Sequence, residues 1–373
     1  MSRRLVIVGS GITGLAHAKV ALEEGWHVTV VERDPEPRGA SVRNFGTLWP
    51  IGQPRGERRA RANRSMTHWH EASEVASFTL DPTGSLHLAY LKEGWSVLRE
   101  YAERAPADEE YRLLSAAEVA EEFPAASTEG LKGGLYSPAE AVVRPREAVH
   151  ALIEWLDEQG VDFLFGRPVT RVEDGAVVTS DGSSVAFDRL VVCCGDVVNL
   201  LYVDELAEAG GRSCQIQMMR AEMDGEPRSV DAILAGDLTL RHYESFRECP
   251  SVEALAERID REMAFHTEWG IHVLVAQHAD GTLALGDSHE YGPAPTIGSR
   301  MPVDEAVLAY LNTIADLGAL SIQKRWTGSY LKAPEGETYL HLTPEPYVDV
   351  VTGLGGAGMT LSFGVAEDTL STW

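Results

Sequence analysis

Gly9, Gly11 and Gly14 stand in G-x-G-x-x-G spacing between a short apolar run, Leu5–Val8, and a helical pattern from Ile12 to Glu24. Each glycine has a chemical purpose. Gly9 makes a tight turn, Gly11 lets the backbone approach a pyrophosphate, and Gly14 lets the helix pack closely on the strand. Ser10, Ile12 and Thr13 complete the turn, and the helix start offers N–H groups and a positive dipole end to phosphates. Gly25 ends the helix, His27–Val31 reads as a second strand, and Glu32-Arg33 follows it. A carboxylate at position 32 suits ribose hydroxyls and repels a 2′-phosphate, which argues against NADP. Strand, glycines, helix, strand and acid in that order predict a dinucleotide site.

A second glycine cluster lies at the other end of the chain. Gly353, Gly355, Gly356 and Gly358 follow a strand over Tyr347–Thr352 and open a helix over Met359–Leu370. Gly356, Ala357, Gly358, Met359 and Thr360 therefore form another helix N-terminus able to face negative charge. Residues 34–54, DPEPRGASVRNFGTLWPIGQP, form a loop unusually rich in aromatic and basic groups. It leaves the carboxyl end of the second strand, where open α/β sheets bind ligands, so it is expected to pack on one.

The elements between these sites alternate in character. A helix is expected over Gly56–Phe78, with Met66, Trp69, Ser73 and Ala76 on one face and Arg55, Arg58, Arg59, Arg61 and Arg64 at its start. Those arginines read either as an anion-binding edge or as a solvated face paired with acids, and the second is favoured. Ser85–Leu91 reads as a strand, Gly94–Glu103 as a helix, and Ser115-x-x-Glu118 as a capping box. Pro145 starts a helix that Gly160 stops, and strands follow at Val161–Phe165, Val169–Val172, Ala176–Ser180 and Phe187–Cys194. Ser213–Met223 alternates as a long strand, and Ser251 is placed to cap a helix carrying Leu255, Ile259, Met263 and His266. Ile271–Gln277 and Thr282–Gly286 form a hairpin, and Val303–Ala315 is a helix. Arg220, Arg241, His242, His289 and Arg300 are polar candidates in this region. His289 leads them, because GDSHEYG follows a strand and is dense in polar groups.

A chain of 373 residues can hold two sizeable cores. Its net charge of −25 argues against nucleic-acid or anionic-membrane binding. Cys193, Cys194, Cys214 and Cys249 show neither disulfide nor zinc spacing. No apolar run approaches the length of a membrane span and the N-terminus runs straight into the first strand, so a cytoplasmic protein is expected.

Four motifs carry a resemblance over nearly the whole chain: GSGITG with Glu32-Arg33, SVRNFG at 41–46, FDRLVVCCGD at 187–196, and WTGSYLKAPEG with GLGGAGMT at 326–360. Together they resemble the D-amino-acid oxidase superfamily of flavoproteins, which includes sarcosine and glycine oxidases. The third motif carries cysteines where the family commonly has alanines, a conservative change for a buried strand. The wording SVRNFGTLWPIGQ is similar to a branch associated with aminophosphonate breakdown.

The resemblance implies an α/β fold with a discontinuous, Rossmann-like FAD-binding domain (1–76, 143–204 and 326–373). An α+β substrate domain with a mixed sheet (77–142 and 205–325) completes it. FAD would be held by the fingerprint at its ADP end. Val169 would meet adenine through its backbone, unless it is simply a core valine. Ser41, Arg43, Asn44, Phe45 and Gly46 would lie along the flavin ring, with Cys194, Gly195 and Gly328 beside the cofactor and Gly356–Thr360 at the pyrimidine edge. The implied chemistry is hydride transfer to flavin N5 from the carbon next to a primary or secondary amine, then imine hydrolysis to a carbonyl compound. The substrate would be a small anionic amine and the electron acceptor oxygen or another oxidant. Relatives such as glycine oxidase bind the anion with an arginine from the strand corresponding to Trp326–Lys332. Here Tyr330 takes that place, and Lys332 lies two residues on along the same face. A flavin monooxygenase, suggested by GDSHEYGPAPTIG, and a non-catalytic flavin-binding subunit stand as alternatives.

Overall fold

The computed structural model describes residues 3–107, 109–225, 228–292 and 298–373. Its first sheet is built outward from Arg4–Val8. That strand is flanked in parallel by His27–Val31 and Arg189–Val192, and beyond them in parallel by Asp162–Leu164 and Val348–Thr352. Leu340–Glu345 closes one edge antiparallel. Leu5, Val6 and Ile7 are all buried, as a strand covered on both faces requires. The helix Ile12–Glu23 covers one face and ends in a left-handed Gly25, where the Gly25 N–H donates to the Leu22 carbonyl and Trp26 N–H to the Ala21 carbonyl.

The second sheet has nine strands and its own apolar core. Its spine is an antiparallel pair, Arg212–Met223 with Leu320–Lys332, running from Arg212 opposite Lys332 to Met223 opposite Leu320 with one register shift between Arg220 and Ala221. Ser85–Ala89 and Ile233–Ala235 run parallel, and the other pairs are antiparallel. A parallel Rossmann-like sheet and a mixed sheet are the expected α/β architecture.

Several expectations need correction. The boundary drawn at 326 cuts a continuous strand, because Leu320–Lys332 is hydrogen-bonded throughout to the nine-stranded sheet. The boundary at 142/143 cuts Ala141–Val143, which pairs with both Thr47–Leu48 and Leu80–Asp81. The Ser115–Glu118 capping box forms as expected. Ser251, by contrast, sits at a helix start without capping it, since its hydroxyl and N–H both donate to the Glu100 carboxylate. The helix it precedes stops at Glu262, and a second one, Ala264–Glu268, carries His266. The arginines at the start of Glu57–Val75 are paired with acids, but Arg59 and Arg61 are buried rather than solvated. The face that helix buries includes Ala72 in place of Ser73. Cys193 and Cys194 lie just past the end of their strand, which stops at Val192. Among the described residues no helix is long and apolar enough to cross a membrane.

One buried acid gives the fold a pH dependence. Asp237 accepts the N–H groups of Tyr90 and Leu91 at 2.9 and 3.2 Å, and its other oxygen has no partner among the described residues. Burial, only partly offset by those two bonds, pushes its carboxyl from 3.8 up to about 7. The folded state therefore holds a proton that the unfolded chain releases. The stability this gives is complete below the unfolded value of 3.8 and is lost as pH rises through about 7. Asp237→Asn keeps the acceptor and cannot ionise. It is expected to melt progressively higher than the parent as pH is raised from about 5 to about 8, by on the order of 2–4 kcal/mol at the upper end. Melting curves of the two proteins that shift in parallel with pH would refute this.

Candidate active site

The carboxyl ends of the parallel strands open into a long cavity bounded by both glycine clusters. At the fingerprint end, the steric reasons for glycine are visible. A Cβ on Gly9 would come 2.4 Å from the Cys193 carbonyl oxygen, and one on Gly14 would come 2.0 Å from that of Gly9. Gly11, Ile12 and Thr13 line the cavity, while Ser10 and Gly14 are buried behind it. Ser10 has a different task from contact with a ligand. Its N–H and hydroxyl both donate to Glu32 Oε2, at 2.8 and 2.9 Å, and Asp34 N–H donates to Oε1 at 3.0 Å. Glu32 thus fixes the turn and still borders the cavity with Arg33. The Ile12 N–H, expected to face a phosphate, is held by Ser41 Oγ at 2.8 Å.

Val169, Cys194, Gly195 and Gly328 line the middle of the cavity, as do Ser41, Arg43, Asn44 and Phe45. Gly46 does not; its φ is +82°, and a Cβ there would come 1.8 Å from the Val143 carbonyl oxygen. Asn44 is committed to the loop, accepting from Gly46 N–H at 2.8 Å and donating to the Ala40 carbonyl at 2.9 Å. Arg43 is exposed, and its carbonyl accepts from Trp326 Nε1.

At the far end, Gly356, Ala357, Gly358, Met359 and Thr360 line the cavity at the start of the helix Gly358–Leu370. Thr360 Oγ1 accepts from Trp49 N–H, and the Met359 carbonyl accepts from Trp69 Nε1, so this helix start is pinned from two directions. Tyr330 and Lys332 come from the same face of their strand and lie over it. The Tyr330 hydroxyl would be 3.6 Å from a Cβ on Gly356, and Lys332 Cγ 3.5 Å from one on Gly355. Burial pushes the Tyr330 phenol well up, so it stays a donor. Lys332 is half-buried, and among the described residues no carboxylate lies within 4 Å of its ammonium. That ammonium sits 5.9 Å from the Tyr291 ring centroid.

The wall opposite holds groups from three separate segments. His242 ends a short helix, His272 precedes the strand Leu274–Gln277, and Asp287, His289 and Tyr291 follow the strand Leu283–Gly286. Ring centroids are 3.9 Å apart for His242 and His272, and 4.6 Å for His242 and His289. Asp287 lies between two of them, 3.1 Å from His272 Nε2 and 3.8 Å from His289 Nε2. Burial pushes His289 down to about 4, pushes His242 and His272 well down, and pushes Asp287 well up. Each of these four groups is thereby biased towards its neutral form.

Of the other basic candidates, His242 reaches the cavity whereas Arg220, Arg241 and Arg300 are not on its lining. The proline-containing end of GDSHEYGPAPTIG, 293–297, lies outside the described residues. Sequence reasoning missed His272, Asp287, Tyr243 and Trp49, all on the cavity wall. For Asp287 and Tyr243 the signal was present, since Asp287 lies within GDSHEYG and Tyr243 adjoins His242. His272 was hidden inside what read as an ordinary strand.

Residues 4–371 match the family described as FAD dependent oxidoreductase (DAO). The chain belongs to this family. It is an FAD-dependent oxidoreductase, and the fold is shared at low sequence identity. Glycine oxidase from Bacillus cereus ATCC 14579 superposes with a TM-score of 0.79 at 17% identity, over 100% of this chain and 94% of that one. L-proline dehydrogenase from P. horikoshii gives 0.77 at 20%, over 98% and 91%. L-alpha-glycerophosphate oxidase from Mycoplasma pneumoniae, solved with FAD bound, gives 0.76 at 16%, over 100% and 95%. The cavity of this FAD-dependent oxidoreductase has room for that cofactor. At Gly39, Gly195 and Gly358, all on its lining, an added Cβ would meet no atom within 4 Å, so bare backbone faces the space.

Proposed function

We propose that the enzyme oxidises the C–N bond of a small anionic primary or secondary amine: an amino acid, an N-methyl amino acid or an aminophosphonate. The observation that carries this reading is Lys332, a cation with no carboxylate within 4 Å among the described residues, in a cavity that also receives both glycine-rich turns. Glycine oxidase and proline dehydrogenase, by their names, act on such compounds. Bound FAD supplies the acceptor for a hydride from the carbon bearing nitrogen. In this reading Gly9, Gly11, Ile12, Thr13, Glu32, Arg33 and Val169 hold its ADP half. Ser41–Phe45, Cys194, Gly195, Gly328 and Gly356–Thr360 hold the remainder.

The chain's own residues then have defined tasks. Lys332 and the Tyr330 hydroxyl bind the anionic head and set the distance of the amine from it. His289, with the neutral imidazoles beside it, leaves the amine nitrogen without a charged acceptor and so favours its neutral, reactive form. Trp49 and Tyr243, 5.9 Å apart between ring centroids, cover this wall and exclude water. The imine leaves and hydrolyses to a carbonyl compound, with oxygen or another oxidant taking the electrons in the cytoplasm. Tyr330 in the place of a relative's arginine favours an anion shaped differently from an α-carboxylate, and an aminophosphonate fits that. An anaerobic screen decides the matter. Bleaching of the flavin by one class among amino acids, N-methyl amines and aminophosphonates is expected. Bleaching only by a hydroxy compound such as glycerol phosphate would overturn the amine reading.

A further inference from the structure

We propose that His242, His272 and His289 form a binding site for one divalent first-row transition ion of the zinc class. Each offers one imidazole nitrogen, and these three atoms lie within 4.8 Å of one another on the cavity wall. Imidazole donors with no thiolate among them suit Zn²⁺, Co²⁺, Ni²⁺ or Cu²⁺.

The surroundings are those that orient metal-binding imidazoles. His289 Nδ1 is 3.0 Å from the Gly270 carbonyl and donates to it, which places the ring's lone pair on Nε2. Asp287 brings a carboxyl oxygen to 3.1 Å from His272 and the other to 3.8 Å from His289. A carboxyl group on His272 Nε2, leaving Nδ1 to face the ion, is a common support for such a site, as is the Gly270 carbonyl on His289 Nδ1. Two buried atoms in this group are poorly satisfied: among the described residues His272 Nδ1 has no hydrogen-bond partner, and Asp287 Oδ1 has only its 3.1 Å approach to His272 Nε2. Buried polar atoms are seldom left so, and an ion with its bound water would satisfy them. Three clustered imidazoles with so few hydrogen bonds are hard to explain as core packing, where apolar groups of the same size cost less.

Small shifts suffice to close the site. Nitrogen–metal bonds of about 2.1 Å need the three nitrogens somewhat nearer than the outer separation seen here. His242 ends its helix and is the least buried of the three, so it has freedom to move. The open side of the ion would face the cavity. Resting on the proposed substrate class, that adds a second attachment point for an anionic oxygen beside Lys332.

The test uses purified, flavin-containing protein without substrate, so it does not depend on the amine reading. The protein is stripped with chelator, dialysed, loaded with Zn²⁺, desalted and assayed for metal. About one equivalent of zinc per chain is expected to remain. Cu²⁺ in its place should give nitrogen hyperfine structure in electron paramagnetic resonance. His242→Gln and His289→Gln should each weaken Zn²⁺ binding by about 10–100-fold. Flavin absorbance reports whether each variant is folded, and His242→Gln, at the most exposed position, is the variant that decides. His68→Gln is the control, because Glu23, His68 and Glu71 form a separate, mostly exposed group able to hold an ion. No retained zinc, or zinc lost in His68→Gln but kept in His242→Gln, would overturn the site.

Discussion

Gly14→Ala protein is expected to be purified nearly colourless, whereas the parent keeps the yellow of bound FAD. The Cβ it adds would sit 2.0 Å from the Gly9 carbonyl oxygen and 3.3 Å from Ile7 Cγ2. Neither the carbonyl nor the helix can yield easily. The Gly9 N–H is tied to the Val31 carbonyl at 2.9 Å, and Gly9 itself packs on the Cys193 carbonyl. The helix behind Gly14 is buried at Leu15, Ala16, Ala18 and Ala21. Restoring contact distance means moving helix from strand by roughly 1 Å, an overpacking cost of about 1–3 kcal/mol. That movement displaces the turn proposed to hold the ADP half, so FAD affinity should fall about 10–100-fold. Gly292→Ala is a matched control, because a Cβ there meets nothing within 4 Å. Flavin-to-protein absorbance ratio and melting temperature measure both effects, and a Gly14→Ala protein equal to the parent in each would refute the argument.

Lys332→Met should keep its flavin and lose its grip on substrate. The methionine retains the apolar stem that lies over Gly355 and removes only the charge. A hydrogen bond to a charged group contributes about 1.5–3 kcal/mol, so the apparent Kd for an anionic amine should rise about 10–150-fold. The maximal rate of anaerobic flavin reduction should change far less, since the lysine binds the end of the substrate that does not react. Lys332→Arg should recover part of the affinity and restore the sensitivity to salt that the methionine abolishes. An unchanged Kd in Lys332→Met would remove lysine from the anion site and shift attention to the histidine wall.

Local rules worked where local interactions decide. The strand His27–Val31, the cap at Ser115 and the proline-started helix Pro145–Glu158 could all be read from neighbouring residues. They failed where a distant partner won. Ser251 has the right residue type for a cap, but Glu100, far off in sequence, takes its hydroxyl. Arg59 reads as a surface residue until Glu109, Tyr101 and two backbone carbonyls surround it. Both ends of the cofactor cavity were legible because backbone geometry there demands glycine. His242 and His289 were singled out one by one, but their meeting with His272 was not legible, since the three come from segments that only the order of strands in the nine-stranded sheet brings together.

The strand Leu320–Lys332 runs without interruption from the far side of the second sheet to a bridge with Leu354, next to the last helix. It works as a graduated ruler laid from the substrate sheet to the cofactor. Because alternate residues share a face, each mark is about 6.6–6.8 Å from the next. A cation at 332 and one at 330 would therefore select substrates differing by several bonds in length. Within this scaffold, substrate reach can change by a step of two residues, with neither sheet having to move.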